Sequence, residues 1–291
     1  PLRGWESSGC NIDTGFPASI LAQMVKKGAI TERGCFSPEI GVPPSTFFNE
    51  LKKKKIKLIT NIKVEKVEVK ESSVQVFLSD GRAIEAEKVL VSIGRAINSK
   101  DIGLENIGVK TGQRGEIIVN DKMETSIKGV YAVGDVTGGI MLAHMALKEG
   151  MIAAENAVGG DAVINRSVVP AAIFTSPEIA SVGLREKQAL DKGYRIKIGR
   201  FQFRALGKAH AMGEISGLIK IIADEQNDKI LGAHIIGPHA SDLIHEIALA
   251  INKGLTVKDI ADTIHAHPTL SEGIMEAAED VHDSAIHVPK K

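Results

Sequence analysis

Apolar and polar residues alternate along two stretches in the first third of the chain, and a two-residue period is typical of a half-buried β-strand. The stretches are residues 64–69 and 74–78, and the Asp80-Gly81 pair that follows is a hairpin turn signal. Two short, largely apolar segments, residues 56–59 and 88–93, predict further strands, the second of them buried. Together these segments predict a β-meander of the kind that closes a dinucleotide-binding domain.

The middle of the chain predicts a strand at residues 115–120, a second strand that ends in Gly134-Asp135, and a long helix at residues 142–157. From about residue 161 onward the pattern is that of a separate α+β domain, in which antiparallel strands are joined by helices. Its predicted strands are residues 171–175, 196–203, 217–223 and 230–236, and its predicted helices are residues 185–192, 240–253 and 257–264. The predicted fold class is therefore α/β followed by α+β.

The composition excludes several classes of function. The chain has 291 residues, enough for about two domains, and its formal net charge of zero gives no electrostatic basis for binding nucleic acid or a membrane surface. No apolar run is long enough to span a bilayer. The two cysteines, Cys10 and Cys35, form no C-x-x-C or C-x-x-x-x-C pattern, and we expect a cytoplasmic or organellar-matrix location. Because the chain starts at Pro1 rather than Met, we expect it to be incomplete or processed at its start.

The most specific chemistry lies near the carboxyl end, in the run His267-Pro268-Thr269-Leu270-Ser271-Glu272. Pro268 fixes its own φ and ends the preceding element, and Thr269 or Ser271 is placed to cap the helix that follows. Glu272 can then reach back to one imidazole nitrogen of His267 and leave the other nitrogen to exchange a proton near neutral pH. The alternative is a histidine that only caps or packs.

A second candidate site surrounds the Gly134-Asp135 pair. A carboxylate at the carboxyl end of a strand lines the ligand crevice of an α/β fold, so Asp135 is a candidate to bind a ribityl hydroxyl. The amides near Met141, Leu142 and Ala143 open the next helix, and helix amino termini stabilise negative charge. An aspartate that simply caps this helix fits the spacing equally well.

Several segments resemble the flavin-dependent pyridine nucleotide–disulfide oxidoreductases, and most closely the dihydrolipoamide dehydrogenase family. These segments are residues 89–95, 130–144, 177–183, 232–241 and 265–287, and the resemblance as a whole covers about residues 52–291. One departure is the run Arg95-Ala96-Ile97-Asn98, where the family usually has Arg-x-Pro-Asn. The resemblance resolves the alternatives above in favour of a flavin enzyme.

The resemblance implies a role for each candidate residue. His267 is the acid/base beside a redox disulfide, and Glu272 is its partner. The complete enzyme uses FAD and NAD, and it is a homodimer in which the histidine of one subunit completes the active site of the other; association with 2-oxoacid dehydrogenase complexes is a further expectation. No metal site is expected, because His239 and His245 lack a supporting carboxylate or cysteine cluster. The partial FAD site implied for this chain consists of Gly94, Arg95, Gly134, Asp135, Met141, Leu142, Ala143 and His144.

Four segments are predicted along the chain. Residues 56–95 are a β-meander of NAD-domain type, residues 96–165 the carboxy-terminal part of an FAD-binding domain, and residues 166–291 a dimerisation domain. Residues 1–55 resemble the tail of saccharopine dehydrogenase, and a diverged remnant of the nicotinamide domain is the alternative.

Neither a G-x-G-x-x-G phosphate loop nor a C-x-x-x-x-C redox pair occurs in the sequence. Our first hypothesis is that the chain is the carboxy-terminal part of a dihydrolipoyl dehydrogenase and has negligible turnover by itself. The second is a non-catalytic dimerisation module or truncated product. The third is a fusion protein of lysine metabolism, based on residues 1–55.

Overall fold

The computed structural model describes residues 59–288 and divides into two compact units. The described part of the first unit consists of residues 59–90 and 168–288, and the second unit is Val91–Ser167. The segment compared with saccharopine dehydrogenase, residues 1–55, and most of the strand predicted at residues 56–59 lie outside the described residues. The four-segment division of the sequence stays a prediction.

Two strands of the predicted meander are present, in a three-stranded antiparallel sheet in which β1 is Val64–Val69, β2 is Val74–Leu78 and an additional strand, β3, is Ala83–Ala86. The strand order is β1-β2-β3. The hairpin between β2 and β3 turns at Asp80, whose carboxylate accepts a hydrogen bond from the Arg82 backbone N–H at 3.2 Å. Strand β3 escaped the sequence analysis because alanine and glutamate are weak strand formers, and pairing with β2 overrides that preference.

The buried strand predicted at residues 88–93 is wrong. This segment lies outside both sheets of the described residues, and its apolar side chains are exposed, with Ile93 at 93%. A strand exists only where a neighbouring strand accepts its hydrogen bonds, and the described residues provide no such neighbour here. The segment is rich in apolar residues, but no neighbouring strand among the described residues pairs with it.

The second unit consists mainly of turns before its one long helix, α1 at Ala143–Ala157. The predicted strands at residues 115–120 and before Gly134 are both wrong, because each is reduced to an isolated bridge, Thr111↔Ile117 and Glu124↔Tyr131. Tight turns such as that closed by the Met123 N–H on the Asn120 carbonyl at 3.1 Å interrupt the ladders before they lengthen. A small core holds these turns together and contains Val109, Ile117 and Ala132.

The part of the first unit that begins at Val168 is built on a five-stranded antiparallel sheet. The strands are β4 Ala171–Ile173, β5 Glu178–Gly183, β6 Ile196–Gln202, β7 Leu218–Asp224 and β8 Ile230–Gly237, in the order β4-β5-β8-β7-β6. The helices are α2 Glu186–Asp191, α3 Gly207–Met212, α4 Ala240–Lys253, α5 Val257–Ala261 and α6 Glu272–Val281. The α+β prediction is confirmed, although several elements are one to three residues shorter than predicted, and β5 and α3 had not been predicted.

Helices α4 and α6 supply the main apolar faces against this sheet. α4 packs on β5 and β8, whereas α6 packs on β6 and β7. The contact between α6 and β6 is close, because a Cβ added at Gly199 of β6 would lie 1.9 Å from the carbonyl oxygen of Ala277. Glycine at this position therefore fixes the depth at which α6, and the residues at its amino terminus, sit on the sheet. Within residues 59–288, every helix falls short of the length and apolarity that a bilayer crossing requires.

Candidate active site

The structure brings His267 and Glu272 together at the start of α6. The loop before the helix contains a cis His267–Pro268 peptide bond, and Glu272 is the first residue of the helix. One carboxylate oxygen of Glu272 lies 2.7 Å from His267 Nδ1, and the other accepts the Thr269 backbone N–H at 2.7 Å. The imidazole is 76% exposed, whereas the carboxylate is 18% exposed. A well-anchored acid thus holds a histidine whose ring faces solvent.

The environment of Glu272 keeps its carboxyl group ionised. Burial raises the pKa of Glu272, but the hydrogen bonds from Thr269 and His267 and the positive charges of His267 and His287 more than offset burial, so that the pKa is lowered overall. A carboxylate only accepts hydrogen bonds, so His267 Nδ1 must carry the hydrogen. In the neutral ring Nε2 is then the basic nitrogen, and it is the one left for proton transfer.

The prediction that Thr269 or Ser271 caps α6 is wrong. Ser271 is the residue before the helix, but its backbone is helical and its side chain makes no capping hydrogen bond. The Thr269 hydroxyl instead donates to the carbonyl of Ala266 at 2.7 Å and lies 2.8 Å from the Ser271 hydroxyl. Both hydroxyls stabilise the loop, and the Glu272 carboxylate accepts the Thr269 N–H.

His265 also anchors this loop, although the sequence predicted no role for it. Its Nδ1 donates to the Thr263 carbonyl at 2.8 Å, and its Nε2 donates to Glu246 of α4 at 3.0 Å. The hydrogen bond to Glu246 raises the pKa of His265 despite its burial. The sequence carries no signal for this pair, because it joins two elements whose packing is set by the fold.

The second candidate site is a tight turn at Gly134, within a short 3-10 helix Gly134–Thr137. Gly134 has φ +76°, a conformation that favours glycine, and the carboxylate of Asp135 lies 3.6 Å from a guanidinium nitrogen of Arg95. Asp135 makes no capping hydrogen bond to α1, so the capping alternative is not observed. A cavity of about 430 Å³ opens here, and it is lined by Arg95, Ala96, Ile97, Asn98, Asp135 and Val136.

The amino terminus of α1 offers main-chain donors, as the sequence predicted, with one correction. Leu142 precedes the first helical residue, Ala143, and no side chain caps this end. The Leu142 N–H is already bonded to the Ile140 carbonyl at 2.9 Å, so it is not among the amides available to a ligand. Met141 and Leu142 are half-buried, Ala143 and His144 are exposed, and Gly94 lies on an exposed turn with φ +91°.

Glu149 of α1 positions the Gly134 turn and was missed from the sequence. Its side chain is buried, and its carboxylate accepts the Gly134 N–H at 2.7 Å. The signal that points to it is its place on the buried face of α1, between Met145 and Ile152, where a charged residue is unusual. This contact holds the backbone that carries Asp135.

The comparisons with known proteins agree along most of the chain. Residues 45–150 match the family model described as pyridine nucleotide-disulphide oxidoreductase, and residues 169–278 match the dimerisation domain of the same family. The chain belongs to the pyridine nucleotide-disulphide oxidoreductase family. The resemblance and the fold class derived from the sequence are therefore confirmed.

Dihydrolipoyl dehydrogenases of two bacteria and one solved structure illustrate the relationship. The chain is 46% identical over 243 residues to the enzyme of Thermus scotoductus, and the alignment covers 82% of this chain and 52% of that protein. It is 46% identical over 243 residues to the enzyme of Bacillus subtilis, with 81% and 51% covered. The crystal structure of LpdA from Mycobacterium tuberculosis has a TM-score of 0.74 at 31% identity and covers 79% of this chain and 50% of that chain. The chain thus spans about half the length of the relatives it matches.

Membership of this family implies the use of FAD and NAD, and the dimerisation domain supports a homodimer. The resemblance of residues 1–55 to saccharopine dehydrogenase receives no support from these family models and relatives. Among residues 59–288 no group of three or more histidine, cysteine, aspartate or glutamate side chains is arranged to hold a metal ion.

Proposed function

We propose that this chain supplies the carboxy-terminal part of a dihydrolipoyl dehydrogenase, which converts dihydrolipoamide and NAD⁺ to lipoamide, NADH and a proton. The observation that carries the proposal is the His267–Glu272 pair, with its 2.7 Å hydrogen bond and an imidazole that is 76% exposed. In this proposal the basic nitrogen of His267 takes the proton of a substrate thiol, and Glu272 stabilises the resulting imidazolium. Homodimerisation through the dimerisation domain is part of the proposal, as are a location in the cytoplasm or organellar matrix and association with 2-oxoacid dehydrogenase complexes.

The residues around Gly134 fit one part of an FAD molecule. Asp135 offers a carboxylate that would accept hydrogen bonds from the ribityl hydroxyl groups. Ala143 is the first residue of α1, and the amino terminus of a helix favours the negative charge of a reduced isoalloxazine ring. When bound, FAD supplies the two-electron relay between the dithiol and the nicotinamide. This turn would hold the ligand, and Glu149 fixes the turn by accepting the Gly134 N–H.

Flavin binding by the full chain tests the cofactor part of the proposal. FAD would be titrated into the purified chain while its visible absorbance and fluorescence are followed, with Asp135→Ala as the test variant and Asp161→Ala as the matched control. Asp161 is an exposed aspartate of the same unit that pairs with Lys122. We expect Asp135→Ala to weaken FAD binding by about tenfold or more, because it removes a charged hydrogen-bond acceptor. Equal affinities of the two variants would contradict the assignment of Asp135.

The acid/base role of His267 is tested in a complete enzyme that carries this chain as its carboxy-terminal part. His267→Gln should leave the flavin bound but slow lipoamide-dependent turnover by about two to four orders of magnitude. His245→Gln is the control, because His245 is an exposed histidine of the same unit outside the pair. The chain by itself should show negligible lipoamide-dependent NADH turnover; rates on the order of tens per second would overturn that expectation.

A second candidate function is a non-catalytic dimerisation module. The observation that favours it is the sequence itself, which contains neither a G-x-G-x-x-G loop nor a C-x-x-x-x-C pair. Sedimentation and visible spectra separate the two candidates. A dimer that takes up no FAD at micromolar concentration supports the module, a dimer that binds FAD supports the oxidoreductase part, and a stable monomer contradicts both.

A further inference from the structure

The loop that carries His267 is exposed in its middle and anchored on both sides. Residues 266–268 are exposed, whereas the side chain of His265 before them is 5% exposed and binds Glu246 of α4. After them, Leu270 is buried in the hydrophobic core of the first unit. The position of the His267 backbone therefore depends on what joins residues 266–268 to these anchored neighbours.

A chain of two hydroxyl groups makes one such connection. The Thr269 hydroxyl lies 2.7 Å from the Ala266 carbonyl oxygen and 2.8 Å from the Ser271 hydroxyl. A carbonyl oxygen only accepts and a hydroxyl has a single hydrogen, so Thr269 donates to Ala266 and Ser271 donates to Thr269. We call this directed chain the hydroxyl tie. It runs from the residue that precedes α6 to the residue that precedes His267.

The backbone of Thr269 contacts the other half of the acid/base pair. Its N–H donates to one carboxylate oxygen of Glu272 at 2.7 Å, and the second oxygen of Glu272 lies 2.7 Å from His267 Nδ1. Thr269 thus holds both the carboxylate that orients the imidazole and, through Ala266, the backbone that carries it. Because the imidazole is 76% exposed, packing contributes little to its orientation, and these hydrogen bonds contribute correspondingly more.

We propose that Thr269 is a positioning residue of the acid/base pair, and that its hydroxyl keeps the His267 ring within hydrogen-bond reach of Glu272. The inference rests on the proposed function of the His267–Glu272 pair and assigns a role to a residue outside that pair. Without the hydroxyl tie, the Ala266 carbonyl would bind water instead, and the backbone before His267 would move relative to Glu272.

Three variants separate the hydroxyl from the shape of the side chain. Thr269→Val keeps the branched shape and removes the hydroxyl, whereas Thr269→Ser keeps the hydroxyl and removes the methyl group. Thr263→Val is the matched control, because the Thr263 hydroxyl donates to the Asp259 carbonyl at the same distance, 2.7 Å, and lies outside the hydroxyl tie. All variants would be made in the full chain.

The first measurement is the tautomer of His267, read from the ¹⁵N NMR shifts of its ring at roughly pH 8.5, where an ordinary histidine is neutral. For Thr269→Val we expect the ratio of the Nδ1–H to the Nε2–H tautomer to fall roughly fivefold, because the hydrogen bond that selects the first tautomer is made for less of the time. Thr269→Ser should restore most of the ratio, and Thr263→Val should leave it unchanged.

Amide exchange of Ala278 shows whether the change is local. Ala278 is fully buried in α6, and its protection should be the same in all variants. A tautomer ratio unchanged in Thr269→Val would overturn the inference. A ratio that changes only together with loss of protection at Ala278 would also overturn it, because the hydroxyl would then support the helix and not the ring.

The second measurement is turnover in a complete enzyme that carries this chain. Thr269→Val should lower kcat for dihydrolipoamide by roughly five- to tenfold at nearly constant KM, and Thr269→Ser should recover most of the rate. In an enzyme that already carries His267→Gln, adding Thr269→Val should slow turnover no further, because residues that act as a unit are not additive. Equal slowing in both backgrounds would show that Thr269 does not act through His267.

The two measurements fail separately from the proposed function. The tautomer requires neither flavin nor substrate, so a His267→Gln enzyme with normal turnover would refute the acid/base role and leave the effect of Thr269 on the ring standing. An unchanged tautomer in Thr269→Val, beside a strong effect of His267→Gln, would refute the role of Thr269 alone.

Discussion

Replacement of Gly199 by alanine should destabilise the first unit by wedging α6 away from β6. The added Cβ would lie 1.9 Å from the Ala277 carbonyl oxygen, 2.7 Å from Val281 Cγ2 and 2.8 Å from the Val281 nitrogen. Ordinary contact begins at 3.4 Å, so the helix backbone would have to withdraw by more than 1 Å, a movement of about 1.5 Å at the oxygen. Two of the three obstructing atoms are backbone atoms, and a rotamer change cannot move them.

The size of the destabilisation depends on how completely α6 is buried against the sheet. Ile274, Ala277 and Ala278 of this helix are fully buried in the core, so withdrawal opens a gap along the whole contact. Overpacking of a core typically costs about 1–3 kcal/mol, and we expect the upper end here because the backbone must move. With a urea dependence of roughly 1–3 kcal/mol per molar, a loss of about 3 kcal/mol should lower the unfolding midpoint by roughly 1–3 M. Urea titration of the full chain followed by far-ultraviolet circular dichroism measures this shift.

Gly207→Ala is the matched control, because it makes the same chemical change at a site where the added Cβ meets nothing within 4 Å. Gly207 is the first residue of α3, where alanine should stabilise the helix by up to about 1 kcal/mol. If Gly199→Ala unfolds at the same urea concentration as the wild type, the close approach of α6 to β6 does not determine stability and the reasoning fails.

Three further results are expected. Glu186→Gln should lower the free energy of unfolding by roughly 1–3 kcal/mol in urea titrations, because the fully buried Lys220 loses its carboxylate partner. Adding Lys220→Met to this variant should recover most of the loss. A Glu186→Gln variant as stable as the wild type would contradict the role of the pair. Burial, reinforced by the charge of Lys220, lowers the pKa of His234 from 6.5 to about 4, so its contribution to stability is complete above pH 6.5 and is lost as the pH falls toward 4. Between these pH values the free energy of unfolding of the wild type should fall by up to about 3 kcal/mol more than that of His234→Gln. Equal losses in the two proteins would refute the assignment. Glu149→Ala should speed amide exchange at Gly134 by about tenfold to a hundredfold, and unchanged protection would show that the turn does not depend on this carboxylate.

The sequence predicted those features whose causes are local. Helix α4 has the predicted bounds because its apolar period is strong and Gly254 ends it in a left-handed conformation. His267 and Glu272 were paired correctly because Pro268 turns the chain between them and only five residues separate the two side chains. In both cases the residues that determine the geometry are neighbours along the chain.

Features that depend on distant partners were not predicted. The run at residues 88–93 has the composition of a buried strand, but composition does not provide the neighbouring strand. Glu149 and Glu276 are each 2% exposed, and their carboxylates accept the backbone N–H groups of Gly134 and Ile286, respectively. These partners become apparent only in the folded structure.

The position of α6 beside β6 also bears on how the sheet resists unwanted association. β6 is an edge strand, and an edge strand presents unpaired N–H groups on which a strand of another molecule can assemble. Asp280 of α6 accepts the Arg200 N–H of this strand at 2.9 Å, so the helix places a negative charge against that edge. The opposite edge, β4, is three residues long and has prolines nearby at positions 170 and 177. The helix that carries Glu272 thus protects the longer edge of the sheet from aggregation, and β4 is too short to template a fibril.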